Sequence, residues 1–215
     1  MPDSPHIVSD VMTHTAVAVG RDASFKDIVQ LMEEWKVSSL PVLEGEGRVI
    51  GVVSEADLLP KEGFRDSDPD YVQLDRLPDL AKASAVTAEG LMSSPAVTVH
   101  ARSTLPQAAR IMARRKIKRL PVVNDEGLLE GVVSRSDLLK VFLRPDADIA
   151  DEITRDIIFP APVEPVAVTV TDGVVTLTGR IRDATLIPLL VRLVRGVEGV
   201  VDVDCRLSGA GAEER

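Results

Sequence analysis

The chain has 215 residues and a formal net charge of −9. That acidic balance lacks the basic footprint of a general nucleic-acid binder, so no nucleic-acid partner is expected. Apolar residues make up 45% of the chain but aromatic ones only 3%, so any core is built from Val, Leu, Ile and Ala.

The first eleven residues carry neither a basic n-region nor a long apolar run, so no signal peptide is expected and the expected compartment is the cytoplasm. Ser9 is placed to cap a short turn ending near Met12, and Ala16 to Val19 reads as a strand. Ser24 and Asp27 have capping-box spacing, and Phe25, Ile28, Val29, Met32 and Trp35 recur at helical spacing behind them. Leu40 to Leu43 is a strand, Glu44 to Gly47 is turn chemistry, and Arg48 to Val53 is a second strand leading to a helix from Ser54.

The stretch from Gly51 to Leu59 then recurs as Gly131 to Leu139. Met12 aligns with Met92, Leu40-Pro41-Val42 with Leu120-Pro121-Val122, and Gly47 with Gly127, all at one constant offset. A self-match at fixed spacing marks a repeated unit, and two copies make a pseudo-symmetric pair. The second copy reads as a turn capped by Thr87, a strand at Val97 to Val99, and a helix with a box at Thr104 and Gln107. It continues with strands at Leu120 to Val123 and Leu128 to Val133, and a helix from Arg135 to Leu143. Lys61 to Ala85 between the copies is polar and acidic, and reads as a surface linker with about one helical turn.

Both copies resemble CBS domains, and two in tandem resemble a Bateman module. The resemblance rests on the Met-Thr and Met-Ser starts at Met12 and Met92, the Leu-Pro-Val triplets and Gly-Val-Val-Ser-x-x-Asp-Leu-Leu. It divides the chain into residues 7–62 and 87–143 as CBS domains, with 63–86 as the linker.

Beyond Pro145, Asp148 to Ile158 reads as a helix with Ile149, Ile153 and Ile157 on one side. Val166, Val168 and Val170 alternate with smaller or polar residues, Asp172-Gly173 is a hairpin signal, and Val175 and Leu177 alternate on the return strand. Thr185 to Arg195 is a helix that tolerates Pro188 near its start, and Val200 to Leu207 is the last strand. Its one cysteine, Cys205, excludes an intrachain disulfide and suits a reducing compartment. Residues 145–208 resemble a BON domain through Gly-x-Val-x-Leu-x-Gly at Gly173 to Gly179 and Gly-Val-x-Gly-Val at Gly196 to Val200. That resemblance implies association with a membrane surface or small molecules in general terms. Residues 209–215 are expected to be a disordered tail. The expected fold is thus mixed α+β/α/β: a pseudo-twofold pair of β-α-β-β-α domains followed by a small α-β-β-α-β domain.

Ser54 with Asp57, and Ser134 with Asp137, have the spacing of a helix-capping box. A carboxylate is equally a double acceptor suited to two adjacent ribose hydroxyls, and spacing alone leaves both roles open. The CBS resemblance implies the second role, with the preceding Ser on the phosphate side of the helix N-terminus. The basic run Arg110 to Arg119 is in general a solvated face. Within it, Lys118 and Arg119 stand directly before Leu120-Pro121. The resemblance implies that residues there cross the pseudo-twofold to the phosphates of a nucleotide whose ribose the other repeat holds. That pairs Asp57 with Lys118 and Arg119 in one site, and Asp137 with the uncharged Ser38 and Ser39 in the other. The implied adenine walls are Thr13, Val17 and Val37 in the first site and Ser93, Val97 and Ile117 in the second, where the aliphatic residues serve equally as core.

His6, His14, His100 and Cys205 have no ligand spacing, and no catalytic set can be assembled, so neither a metal nor a cofactor nor an enzyme is expected. The expectation is a regulatory module that binds AMP, ADP, ATP or an S-adenosylmethionine-like ligand. It is expected to be a homodimer whose BON domain meets an unknown protein or a membrane surface. The rival is a structural or membrane-peripheral adaptor in which the CBS pair only dimerises.

Overall fold

The computed structural model describes residues 6–63, 77–159 and 166–209. They fall into two units, His6–Asp137 and the chain from Leu138 onward. The division lies ahead of the boundary near Pro145 that the sequence suggests.

In the first unit the chain passes through α1 (Val8–Val11), β1 (Val19–Gly20), α2 (Phe25–Trp35), β2 (Ser39–Glu44), β3 (Arg48–Ser54) and α3 (Glu55–Leu58). The Ser24–Asp27 box forms as its spacing predicts: the Ser24 hydroxyl donates to Asp27 at 2.7 Å. Ile28 and Met32 are buried, whereas Val29 and Trp35 are 43% and 53% exposed, so the buried face of α2 is narrower than its apolar pattern. The helix stops at Lys36, whose φ of 51° breaks the helical path. Strands β1 and β2 run parallel, and β2 and β3 antiparallel with a bulge at Val42/Leu43. The parallel ladder has only the pairs Val19 with Val42 and Gly20 with Leu43, which is why the strand expected from Ala16 shrinks to two residues.

Two further helices follow, α4 (Pro60–Gly63) and α5 (Leu77–Ser84). Pro60 lacks an N–H and starts a new turn, so the helix begun after Ser54 does not continue. The linker therefore holds an eight-residue helix, more than the single turn its composition suggests. The rest of it, residues 64–76, lies outside the described residues.

The second repeat follows the same path through α6 (Ala88–Leu91), β4 (Val99–His100), α7 (Leu105–Arg115), β5 (Arg119–Val123), β6 (Leu129–Ser134) and α8 (Arg135–Leu139). Its sheet has the same order and the same bulge, at Val122/Val123. A 3-10 turn at Lys140–Leu143 replaces the end of the expected helix.

The repeats exchange their short N-terminal turns. The Val8 amide donates to the Ser103 carbonyl at 2.9 Å, and the Ala88 amide donates to the Ala23 carbonyl at 2.9 Å. Behind each turn, Thr13 bridges to Val132 in β6 and Ser93 bridges to Val52 in β3. Glycine permits this approach, because a Cβ at Gly51 would overlap the Met92 thioether and one at Gly131 would stand 2.6 Å from the Thr13 carbonyl oxygen. Each GVVS strand thus needs its glycine where the other repeat's methionine segment crosses it.

The second unit contains α9 (Asp146–Ile153), a π-helical turn (Thr154–Ile158), β7 (Val166–Thr171), β8 (Val174–Ile181), a 3-10 turn (Ala184–Leu186), α10 (Ile187–Arg195) and β9 (Asp202–Gly209). Strand β8 is central, antiparallel to β7 and parallel to β9. Ile149, Ile153, Val175, Leu177, Val194 and Val203 form its core. Asp172 and Gly173 take φ of 52° and 74°, as a tight hairpin of matching twist requires. The last strand starts at Asp202, later than expected, and runs through Gly209, where a disordered tail was expected to begin. Residues 210–215 of that tail lie outside the described residues. Among the described residues no helix is long and apolar enough to cross a membrane.

Candidate functional site

Strands β2 and β3 and the start of α3 in the first repeat, with the segment leading into β5 in the second, enclose a cleft of about 250 Å³. Ser38, Ser39, Val52, Ser54, Asp57 and Ser93 line it together with Lys116, Ile117, Lys118 and Arg119. Its polar groups converge from both repeats, and its aliphatic walls are Val52 and Ile117.

Asp57 sits at the floor of the cleft and is the one buried polar or charged residue among those described. It is held there by the cap of α3. Oδ2 accepts the Ser54 amide at 2.8 Å and the Ser54 hydroxyl at 2.6 Å. Oδ1 accepts the Ser93 hydroxyl at 3.3 Å and an ammonium proton of Lys82 from α5. The capping role occupies one oxygen and leaves the other turned to other partners, so the cap does not preclude a second role for the same carboxylate.

Across the cleft, the Arg119 guanidinium donates to Ser38 Oγ at 2.6 Å, which ties the starts of β5 and β2 together. Lys116 and Lys118 are exposed at the rim. Three cations from the second repeat thus share a cleft with a buried carboxylate of the first, and a ligand with separated hydroxyl and anionic ends is what such a polarity suits.

The expected residues are grouped differently from the two sets drawn from the sequence. Ser54, Asp57, Lys118 and Arg119 share the cleft, but Ser38, Ser39, Ser93 and Ile117, assigned to the second set, line it too. Thr13, Val17 and Val37, assigned to the first set, are absent from its lining. Thr13 is bridged to Val132, on the strand that leads to Ser134, while Val17 and Val37 pack on the core of the first repeat. The exchange of N-terminal turns is the physical reason. Each Met-Thr or Met-Ser segment lies on the other repeat's β-strand, so Ser93 belongs with Asp57 and Thr13 lies on the side of Asp137.

Ser134 and Asp137 form the same cap, with the Ser134 amide donating at 2.9 Å and its hydroxyl at 2.6 Å. Val97 is half-buried ahead of β4. The sequence reading missed Lys116, which belongs to the basic run and only needed to be counted with its neighbours. It also missed Lys82, which no repeat pattern could expose because it lies between the copies. Among the described residues no group of three His, Cys, Asp or Glu side chains is placed to hold a metal ion.

Comparison with known proteins agrees with this architecture. The CBS-domain profile matches residues 8–61 and 88–144, and the BON-domain profile matches residues 145–211. An uncharacterised protein of Methanocaldococcus jannaschii is 30% identical over 64% of this chain and 91% of its own length. The chloroplastic CBS domain-containing protein CBSX2 of Arabidopsis thaliana is 29% identical over 65% of this chain and 64% of its own. A crystal structure of CBSX2 in complex with AMP superposes with a TM-score of 0.57 at 30% identity, covering 64% of this chain and 97% of that one. The CBS pair of protein MJ0100 in complex with 5-methylthioadenosine and S-adenosyl-L-methionine shares the fold, with a TM-score of 0.52 at 17% identity over 65% of this chain and 97% of that one. The chain therefore belongs to the CBS-domain family, as a tandem CBS pair followed by a C-terminal BON domain.

Proposed function

We propose that the CBS pair is a regulatory sensor that binds an adenosine-containing ligand in the Asp57 cleft. Asp57 accepts the ribose hydroxyls, and Lys116, Lys118 and Arg119 hold the phosphates. Val52 and Ile117 are the walls against the base. The observation that carries this reading is the cleft itself, where a carboxylate from one repeat faces three cations from the other. The likeness to CBSX2, whose crystal structure holds AMP, supports it.

In this reading Ser134 and Asp137 serve a second position on the side of Thr13. The protein has no catalysis of its own and works in the cytoplasm as a homodimer. Its half-buried Cys205 thiol suits a reducing compartment. Occupancy acts by favouring one conformation of the chain, which requires different affinity for two states. The BON domain carries the response to a protein or surface, and the half-exposed Leu189 and Leu193, one turn apart on α10, are the apolar material for that contact.

A thermal-shift panel of AMP, ADP, ATP, S-adenosylmethionine and NADH tests the reading. A ligand at a hundredfold excess over its dissociation constant stabilises by about 2.7 kcal/mol. No shift with any of the five contradicts the sensor and favours the adaptor.

A further inference from the structure

Lys82 belongs to neither repeat. It lies on α5 in the linker, yet its ammonium donates to Asp57 Oδ1 and stands 3.4 Å from Ser93 Oγ. The pair is largely shielded, with side-chain exposures of 23% for Lys82 and 10% for Asp57.

An ionised carboxylate offers about four lone-pair positions. On Asp57 the protein itself engages four donors: the Ser54 amide, the Ser54 hydroxyl, the Ser93 hydroxyl and Lys82. A ribose diol brings two more hydroxyl donors. The Ser54 pair cannot yield without undoing the cap of α3, so the position open to exchange is the one on Oδ1. Its occupants are a long hydrogen bond from Ser93 and the ammonium of a flexible side chain. Lys82 also comes from a short helix that is tied back by a second lysine, Lys61, whose ammonium donates to the Ala83 carbonyl at 2.9 Å.

We propose that Lys82 is an internal competitor for the ribose position, so that a ligand at Asp57 displaces it and loosens α5 from the CBS pair. This deepens the ribose reading of Asp57 and rests on it. The linker helix then reports occupancy: docked when the cleft is empty of ligand, released when the diol takes Oδ1. Adenosine is the right probe, because it has no phosphate and so no reason to bind less tightly when a lysine is removed.

The test is calorimetric titration of adenosine into the full chain, its Lys82→Met and Lys82→Gln variants, and Asp57→Asn. Amide hydrogen exchange over residues 77–84 is followed in parallel. Both Lys82 variants are expected to bind adenosine about tenfold more tightly, the scale of one charge-assisted hydrogen bond. Saturating adenosine should speed exchange over 77–84 in the natural protein to the rate of the unliganded Lys82 variants. If the natural protein binds adenosine and both Lys82 variants bind it equally or more weakly, or if exchange over 77–84 does not change, the competitor role is wrong while the ribose reading stands. If no variant binds adenosine, or Asp57→Asn binds it as well as the natural protein, the ribose reading falls and the competitor role with it.

Discussion

Gly131 lies beneath the backbone of Thr13, so closely that a Cβ there would stand 2.6 Å from the Thr13 carbonyl oxygen. The same carbonyl accepts the Val132 amide at 3.0 Å, and the Thr13 amide donates back to Val132 at 2.9 Å. Gly131→Ala therefore pushes against backbone that is pinned in a two-bond bridge. At the matching position, Gly51→Ala meets the Met92 side chain, which can turn aside. Overpacking costs about 1–3 kcal/mol, and Gly131→Ala is expected at the upper end with Gly51→Ala at the lower. Melting curves of the two variants check the order; a larger loss for Gly51→Ala contradicts it.

The second unit has a comparable single-residue tie. The Asp146 carboxylate accepts the Asp172 amide at 2.8 Å and the Gly173 amide at 2.9 Å, so the start of α9 fixes the hairpin between β7 and β8. Asp146→Ala removes both charge-assisted bonds and is expected to cost about 2 kcal/mol. Urea denaturation of the variant should show the loss, and Asp146→Asn, which keeps one acceptor, should recover part of it.

Arg119→Ala separates the anionic end of a ligand from its ribose end. On the proposed reading it weakens ATP and ADP by roughly ten- to 150-fold, the equivalent of about 1.5–3 kcal/mol, and leaves adenosine nearly unchanged. Binding of the charged nucleotides should also weaken as salt is raised. Equal losses for ATP and adenosine would mean that Arg119 acts through its bond to Ser38 and not on phosphate.

The homodimer is tested by light scattering. Val29 and Trp35 on α2 are large apolar residues left 43% and 53% exposed, and a second copy of the chain is the proposed cover. Twice the chain mass at micromolar concentration is expected, with Trp35→Glu shifting it toward the monomer. A monomer mass for the natural protein contradicts the proposal.

Much of the fold was legible because its signals are local. The boxes at Ser24 and Thr104, the Asp172-Gly173 turn and the alternation along β7 and β8 each specify a backbone conformation from neighbouring residues. The repeat announced the pseudo-symmetry. It did not say which copy each N-terminal turn packs on, since that choice is made by non-local contacts of Met12 and Met92 with the glycines of the opposite strands. Hence Asp57 and Arg119, expected in one set, line one cleft, while Ser93 lines that cleft and Thr13 is bridged to Val132, the reverse of the sets the sequence suggests for those two. The short strand β1 and the helix α5 were misjudged for a related reason: the ladder partner in one case and the packing surface in the other lie far along the chain.

The most direct measurement is calorimetric titration of adenosine and AMP into the natural protein and Asp57→Asn, with the melting temperature of each protein recorded without ligand. An asparagine oxygen can still accept from Ser54, so the cap of α3 is largely kept while the charge that holds two hydroxyls is lost. The account predicts that both ligands bind the natural protein and that Asp57→Asn weakens both by a similar factor of about ten or more. Unchanged binding of both ligands by a variant that melts at lower temperature would contradict it, leaving Asp57 as a helix cap and nothing more.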